Sequence, residues 1–317
     1  MGSATLFHQR WWLCAASGGL HNEVTVEQGH DVVARLAFVS SRKMGFRTLR
    51  MPLFTHVLGP VVVRGKGKPQ TELTRRLSIV RSLIDQLPPF DFFKLAFDPT
   101  AEDGLANADG LAFQERGFVV RPQYNYRIDC RVGLEEIWQG MDFRTRQHIR
   151  RAQDRLEVEV IDQPRQFIEF YERNLALRDR QSRFSFTQFS NLFMECQARG
   201  CGQLLVARSP DQTDVAMTFL VWDDAAVYYL LSTRISDGND GGAANLLIWN
   251  GIQLAHQRGL WFDFDGVSTA GIARFYAGFG GQICNRLVVT RMSLAFAAAQ
   301  YVGAIVRGEI PESNKFT

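Results

Sequence analysis

The stretch FDFDGVSTAGIARFYAGFGG, Phe262 to Gly281, sets two carboxylates in an apolar run and follows them with an aromatic segment bounded by glycines. Side chains alternate across a strand, so in LWFDFD the residues Trp261, Asp263 and Asp265 share one face while Phe262 and Phe264 share the other. Two positions along a strand span about 6.5 to 7 Å, too far for the carboxylates to share a proton. They are spaced to act separately, as a base and a positioner, or to bind an amine together. The competing reading is a strand-end aspartate that caps the turn or helix after it.

Working outward, SDGNDGGAANLLIWNGIQLA (236–255) places a glycine-rich turn at a helix N-terminus, with Arg234 just before it and Asn245 in the first helical turn. The backbone N–H groups there suit a phosphate or pyrophosphate, although the spacing is neither that of a P-loop nor that of a dinucleotide fingerprint. A plain helix cap with solvent-exposed glycines is the alternative. Further upstream, DFRTRQHIRRAQDR (142–155) concentrates five arginines and His148 in one expected helix. Arg144, His148 and Arg151 fall on one side, and Arg146 and Arg150 form an i, i+4 pair on another. Guanidinium groups suit bidentate phosphate binding, so Arg146 and Arg150 are candidates for a phosphate on donor or acceptor. The other reading is a solvated face with Ile149 and Ala152 packed inward. RDRQSR (178–183) is a second basic cluster.

Composition bounds these readings. The chain has 317 residues, an ordinary globular apolar fraction and a net charge of only +3, so a basic partner site must come from local clustering. Its five cysteines form no disulfide framework and no Cys/His set has metal-ligand spacing, which predicts reduced thiols in a cytoplasm and no metal. Trp11 to Ala16 is too short for a leader segment, and Ser293 to Val306 is too short to span a bilayer, which needs about 20 residues. The latter reads as a C-terminal packing helix, with interfacial membrane contact as the alternative. No nucleophile elbow or triad is present, which points away from covalent hydrolases and toward direct transfer. Such a transfer needs a base, an oxyanion donor and a leaving-group acid.

Hydrophobic periodicity predicts two successive α+β cycles. The first has strands at 23–26, 31–39, 47–51 and 61–63, a helix at 71–86 stopped by Pro88 and Pro89, a strand at 92–97, a short helix at 111–116 and a strand at 118–130. The second has the arginine helix, a strand at 158–161, helices at 166–177 and 187–198, and strands at 203–207, 215–222 and 226–233. A long helix to Arg258, the opening strand, a short helix and a strand at 286–291 complete it.

Several segments in order resemble the FemAB-like branch of the GNAT acyltransferase superfamily: RWWLCAA with LRMPLFTHVLGPVV, then LAFQERGFVVRPQYNYRID with RTRQHIRRAQ, then NLLIWNGIQLAHQRGLWFDFDG and GIARFYAGFGG. The resemblance covers nearly the whole chain. It implies an α+β fold of two tandem GNAT-like domains, 1–125 and 126–317, each with a mixed, mostly antiparallel sheet flanked by helices. It implies acyl transfer from acyl-CoA or a carrier thioester to an amine or hydroxyl of a small molecule or glycan precursor, with no DNA as partner. Asp263 or Asp265 would orient or deprotonate the acceptor, Tyr276 would protonate the leaving thiolate, and backbone groups near Ser232 to Arg234 would polarise the acyl carbonyl. Tyr124 and Tyr126 would line the cleft. The chain departs from the family in lacking the pyrophosphate motif Q/R-x-x-G-x-G/A, and it has Tyr276 where many Fem-type proteins have lysine. Aminoacyl transfer from charged tRNA and a non-catalytic GNAT-fold binding module are the alternatives.

Overall fold

A computed structural model describes residues 4–97, 105–235 and 241–306. After a short 3-10 turn at Leu6–His8 come α1 (Arg10–Ser17), β1 (His21–Gln28), β2 (Asp31–Lys43), β3 (Phe46–Arg50), β4 (Val61–Val62), α2 (Pro69–Asp85), β5 (Phe92–Phe97) and α3 (Leu105–Glu115). They are followed by β6 (Val119–Asp129), α4 (Leu134–Gly140), α5 (Phe143–Gln153), β7 (Glu157–Ile161), α6 (Pro164–Ala176) and α7 (Phe186–Ala198). The rest is β8 (Gly202–Arg208), β9 (Asp214–Trp222), β10 (Ala226–Arg234), α8 (Ala243–Arg258), β11 (Trp261–Gly266), α9 (Ala270–Ala277), β12 (Gln282–Met292) and α10 (Leu294–Val306). The chain divides into two compact units, residues 1–123 with 285–317, and residues 124–284.

In the first unit the strands run in the order β1-β2-β3-β5-β12, with β4 on β2. β3 and β5 are parallel and the other pairs antiparallel. Gly29, at φ 69°, supplies the left-handed residue that closes the β1–β2 hairpin. α2 starts on Pro69, whose missing N–H costs nothing at a first helical position, and ends before Pro88. It buries Ile79, Val80 and Leu83 with Phe93, Leu95 and Phe113. Arg76 of α2 and Asp109 of α3 form a buried ion pair at 2.7 Å. On the other sheet face α1 brings Leu13 to Ala37 and Leu58, and α10 stacks Phe296 on Phe92 at 5.0 Å.

The second unit has the strand order β6-β11-β10-β9-β8-β7. Among the described residues the β10–β11 pair is parallel and the β6–β11, β9–β10, β8–β9 and β7–β8 pairs are antiparallel. Helices cover both faces, so β9 is buried at every position from Val215 to Trp222 instead of alternating. α5 and α8 pack Ile149, Ala152, Leu247 and Ile252 against Leu220, Val227 and Phe262. α6 and α7 pack Phe167, Phe189 and Phe193 against Phe219 on the opposite face. The expected α+β class with mostly antiparallel sheets holds. Two helices, α1 and α4, have no counterpart in the sequence reading. Of the expected glycine-rich turn at 236–242, residues 236–240 lie outside the described residues.

On β11, next to β6, Asp263 is fully buried, and its carboxylate accepts from Asn125 Nδ2 (2.9 Å), Arg127 Nε (2.6 Å) and the Asp265 backbone N–H (2.9 Å). β11 is thereby fixed to β6. The ladder slips between Asp263 and Gly266, and Asp265 takes a left-handed φ of 75°. The strict alternation expected of Asp263 and Asp265 therefore breaks, because a bulge inserts a residue into the period of two.

Two outcomes follow for stability. Asp263→Ala leaves the Arg127 guanidinium without its buried partner and is expected to destabilise the second unit by about 3 to 5 kcal/mol in urea denaturation, with Asp263→Asn costing less. In the first unit, His8 is buried beside Arg35 and accepts from the Gly59 N–H at 3.2 Å. Burial first, then the Arg35 charge, lowers its pKa to about 4. The unfolded chain binds the proton first, so this contribution is complete above pH 6.5 and lost as the pH falls toward 4, by about 3 kcal/mol. His8→Gln should flatten that acid slope in pH-dependent melting of the protein.

Candidate active site

β10 and β11 run parallel and pair only through Ala226–Tyr228 and Trp261–Asp263. β10 then continues to Arg234 along β9, with a bulge between Tyr229 and Leu231. Past Tyr228 the ladder between β10 and β11 ends, and the gap opens into a cleft of about 540 Å³. One wall is the far half of β10, with Tyr229, Ser232 and Arg234. The first turn of α8 contributes Ala244 and Asn245, and α9 contributes Ile272, Phe275 and Tyr276. His148 of α5 and Arg178, which follows α6, complete the rim.

Local sequence explains each wall. α9 is begun by Thr269, whose hydroxyl accepts from the Ile272 N–H, and this cap turns Phe275 and Tyr276 inward. Its far end is anchored by glycines. A Cβ on Gly278 would lie 2.5 Å from Thr145 Oγ1, and one on Gly280, at φ 77°, would lie 2.5 Å from the Gly140 carbonyl oxygen. Only glycine lets this segment sit so close to α4 and α5. Gly242, the residue before α8, has φ 89°, and a Cβ there would meet the His148 carbonyl oxygen at 2.7 Å. That approach brings α5 and the start of α8 to one rim. The leading N–H groups of α8 and its positive dipole end face the cleft beside Arg234 and Arg178. Arg178 Nη2 donates to the Arg234 carbonyl at 3.1 Å.

The Tyr276 ring lies 4.6 Å from Phe264 and 6.4 Å from Tyr126. Burial, reinforced by Tyr229 and by the charges of Asp265 and Asp263, raises its pKa well above the ordinary phenol value. Burial therefore favours the neutral phenol over the phenolate.

Of the residues singled out in the sequence, Ser232, Arg234, Asn245 and Tyr276 come together in the cleft. Asp263 faces Asn125 and Arg127, and Asp265 sits at the end of β11 near enough to influence Tyr276. Tyr126 is buried, while Tyr124 is 57% exposed and its carbonyl accepts from Val267. Arg146 donates to the carbonyls of Trp138 and Gln139 at the end of α4, and Arg150 lies over the Trp138 ring at 5.4 Å. Both arginines thus pack against α4, where a cation is stabilised by the helix C-terminus. Tyr229 has no signal in the sequence, because a tyrosine in a strand carries no mark of which face meets a cleft. His148 and Arg178 were visible only as members of charge clusters.

A family model described as "Acetyltransferase (GNAT) domain" matches residues 143–275, from the start of α5 into α9, and ends one residue before Tyr276. No curated protein matches the sequence. Among solved structures, the chain is similar to FemX, with a TM-score of 0.66 at 12% identity over 95% of each chain. It is similar to L-PGS from Bacillus licheniformis, with a TM-score of 0.55 at 12% identity over 94% of this chain and 91% of that one. It also resembles a tandem GNAT protein from the clavulanic acid biosynthesis pathway, with a TM-score of 0.51 at 11% identity over 86% and 82%. Residues 143–275 thus match a GNAT acetyltransferase domain, and the chain as a whole shares its fold with FemX and with a tandem GNAT protein.

Proposed function

We propose that the chain moves an acyl group from a thioester donor, acyl-CoA or an acyl-carrier protein, to an amine or hydroxyl of a small molecule or glycan precursor. The reaction is direct attack within the cleft of the 124–284 unit, carried out in the cytoplasm. The observation that carries this reading is the buried, protonated Tyr276 phenol across the cleft from the edge that β10 bares where β11 departs.

The residues present fit a thioester donor carrying a phosphorylated arm. β10 around Ser232 offers backbone groups to an extended amide chain and to the acyl carbonyl oxygen. The first turn of α8 at Ala244 and Asn245, with Arg234 and Arg178, offers N–H groups and positive charge to its phosphates. His148, an imidazole on the cleft wall, receives the proton released as the acceptor attacks. Asp265 orients the acceptor, and Asp263 positions β11 through Asn125 and Arg127 without touching substrate. Tyr276 gives its proton to the departing sulfur, so the proton lost by the acceptor is balanced by the thiol formed. Tyr126 backs Tyr276, Tyr124 lies at the acceptor side, and Arg146 and Arg150 steady α4 beside the arginine helix. In this reading the chain holds two GNAT-like halves, and the chemistry belongs to the one that contains residues 124–284.

A second reading, transfer from charged tRNA, is favoured by the exposed arginines Arg144 and Arg151 of α5 and Arg155 just after it, together with Arg178, Arg180 and Arg183. These form cationic surface on the same unit as the cleft, suited to a phosphate backbone. A donor screen by thermal shift and mass spectrometry separates the two. Stabilisation by acyl-CoA and label transfer from it are expected; a shift with aminoacyl-tRNA alone replaces the donor. Tyr276→Phe should lower kcat by about 100-fold or more while leaving donor affinity within a few fold. If Tyr276→Phe and His148→Gln both retain full turnover, the site is not catalytic and a binding module is the better description.

A further inference from the structure

α10 has 13 residues and no charged side chain. Phe296 anchors it to the first unit, stacking on Phe92 and meeting Phe46 edge-on at 5.4 Å. The opposite side of the helix is left in water. Leu294 is 91% exposed, Tyr301 50% and Val302 59%, and Ala295 and Ala298 are exposed between them. Their spacing of i, i+1, i+4, i+7 and i+8 makes one continuous apolar stripe, the reverse of an ordinary surface helix.

The sheet surface on which α10 lies is cationic. The register pairs Lys43 with Phe46 and Arg50 with Lys94, and Phe46, Arg50, Phe92 and Lys94 alternate onto the face that Phe296 touches. Lys43, Arg50 and Lys94 are all exposed, and the Arg50 guanidinium lies over the Phe92 ring at 4.5 Å. Met44, at the tip of the β2–β3 hairpin next to Lys43, is 81% exposed. An apolar stripe rimmed by Lys and Arg has the chemistry of a surface that enters the headgroup layer of an anionic bilayer. A second copy of the chain fits less well, because a two-fold interface would set the same cations against each other. No described helix is long and apolar enough to cross a membrane, and α10 is about 20 Å long against a hydrocarbon core of about 30 Å, so the contact is along the surface.

We propose that α10, with the Lys43–Arg50–Lys94 side of β2, β3 and β5, is a docking surface for anionic lipid bilayers. This assignment is independent of the transfer chemistry. Cosedimentation of the full chain with vesicles of phosphatidylglycerol and phosphatidylcholine (1:1) or of phosphatidylcholine alone tests it. Binding to the anionic vesicles is expected to exceed that to neutral ones at least tenfold and to fall in 0.5 M salt. Lys43→Glu with Lys94→Glu should weaken it at least tenfold, and Leu294→Ser with Val302→Ser should weaken it further, each with an unchanged melting temperature. Absence of binding to the anionic vesicles overturns the proposal, as does equal binding by wild type and both variants. A dimer in light scattering that Leu294→Ser with Val302→Ser dissociates would likewise overturn it and assign the stripe to a second copy.

Discussion

A carboxylate with no access to solvent has to be satisfied entirely by the protein around it, and Asp263 meets that demand with three donors from two strands. Asn125 and Arg127 come from β6, and the Asp265 N–H comes from β11 itself. Satisfying the charge sets the β6–β11 register and forces the backbone after Asp263 into a bulge. The bulge ends the strand where β10 still continues, and the cleft is the space between them. A buried charge left partly unsatisfied costs several kcal/mol, so this corner of the sheet has little freedom to rearrange. The position that reads as chemistry in the sequence is the one that shapes the site from behind it.

The cleft combines three unlike surfaces. An open strand edge offers directional hydrogen bonds, a helix start beside two guanidiniums offers positive potential, and an aromatic helix offers a proton in apolar surroundings. Each is weak in water and stronger where solvent is excluded. Phe264, Phe275 and Phe279 around Tyr276 supply that exclusion. Glycine decides how near these surfaces come. At Gly242, Gly278 and Gly280 a single methyl group would push backbone or side chain by more than its neighbours can yield.

Much of the fold is legible in residue patterns. The strand at Phe92–Phe97 and the helix beginning at Phe143 stand where periodicity puts them. The amphipathic face of α5 is right as well, since Thr145, Ile149 and Ala152 are the buried side. What the pattern cannot supply is the neighbour. Arg146 and Arg150 share a face suited to phosphate, yet that face meets α4, a seven-residue helix too short to show a period of its own. α1 is hidden for the same reason. Its Trp12, Leu13 and Ala16 give barely two turns of apolar spacing before Gly18 ends the helix in a left-handed conformation. Two-residue alternation fails at Asp265 because a bulge is a tertiary consequence of the Asp263 charge and leaves no local signature. Tyr229, which goes unmarked, and Arg178, marked only as part of a basic cluster, are brought to the cleft by the parting of strands and the packing of α6, both of them long-range events.

The order of residues also bears on how the protein is made. β5 and β12 are neighbours in the first unit, where Lys94 faces Thr290, yet roughly 200 residues, including the whole second unit, are synthesised between them. At about 5 to 20 residues per second, β5 leaves the ribosome some 10 to 40 s before its partner exists. Until then its edge, with Phe93 and Leu95, has no strand to close it, while residues 124–284 form one continuous stretch and can fold during synthesis. The N-terminal part of the nascent chain is thus the last to be finished, and it is the part that a chaperone at the exit tunnel would have reason to hold.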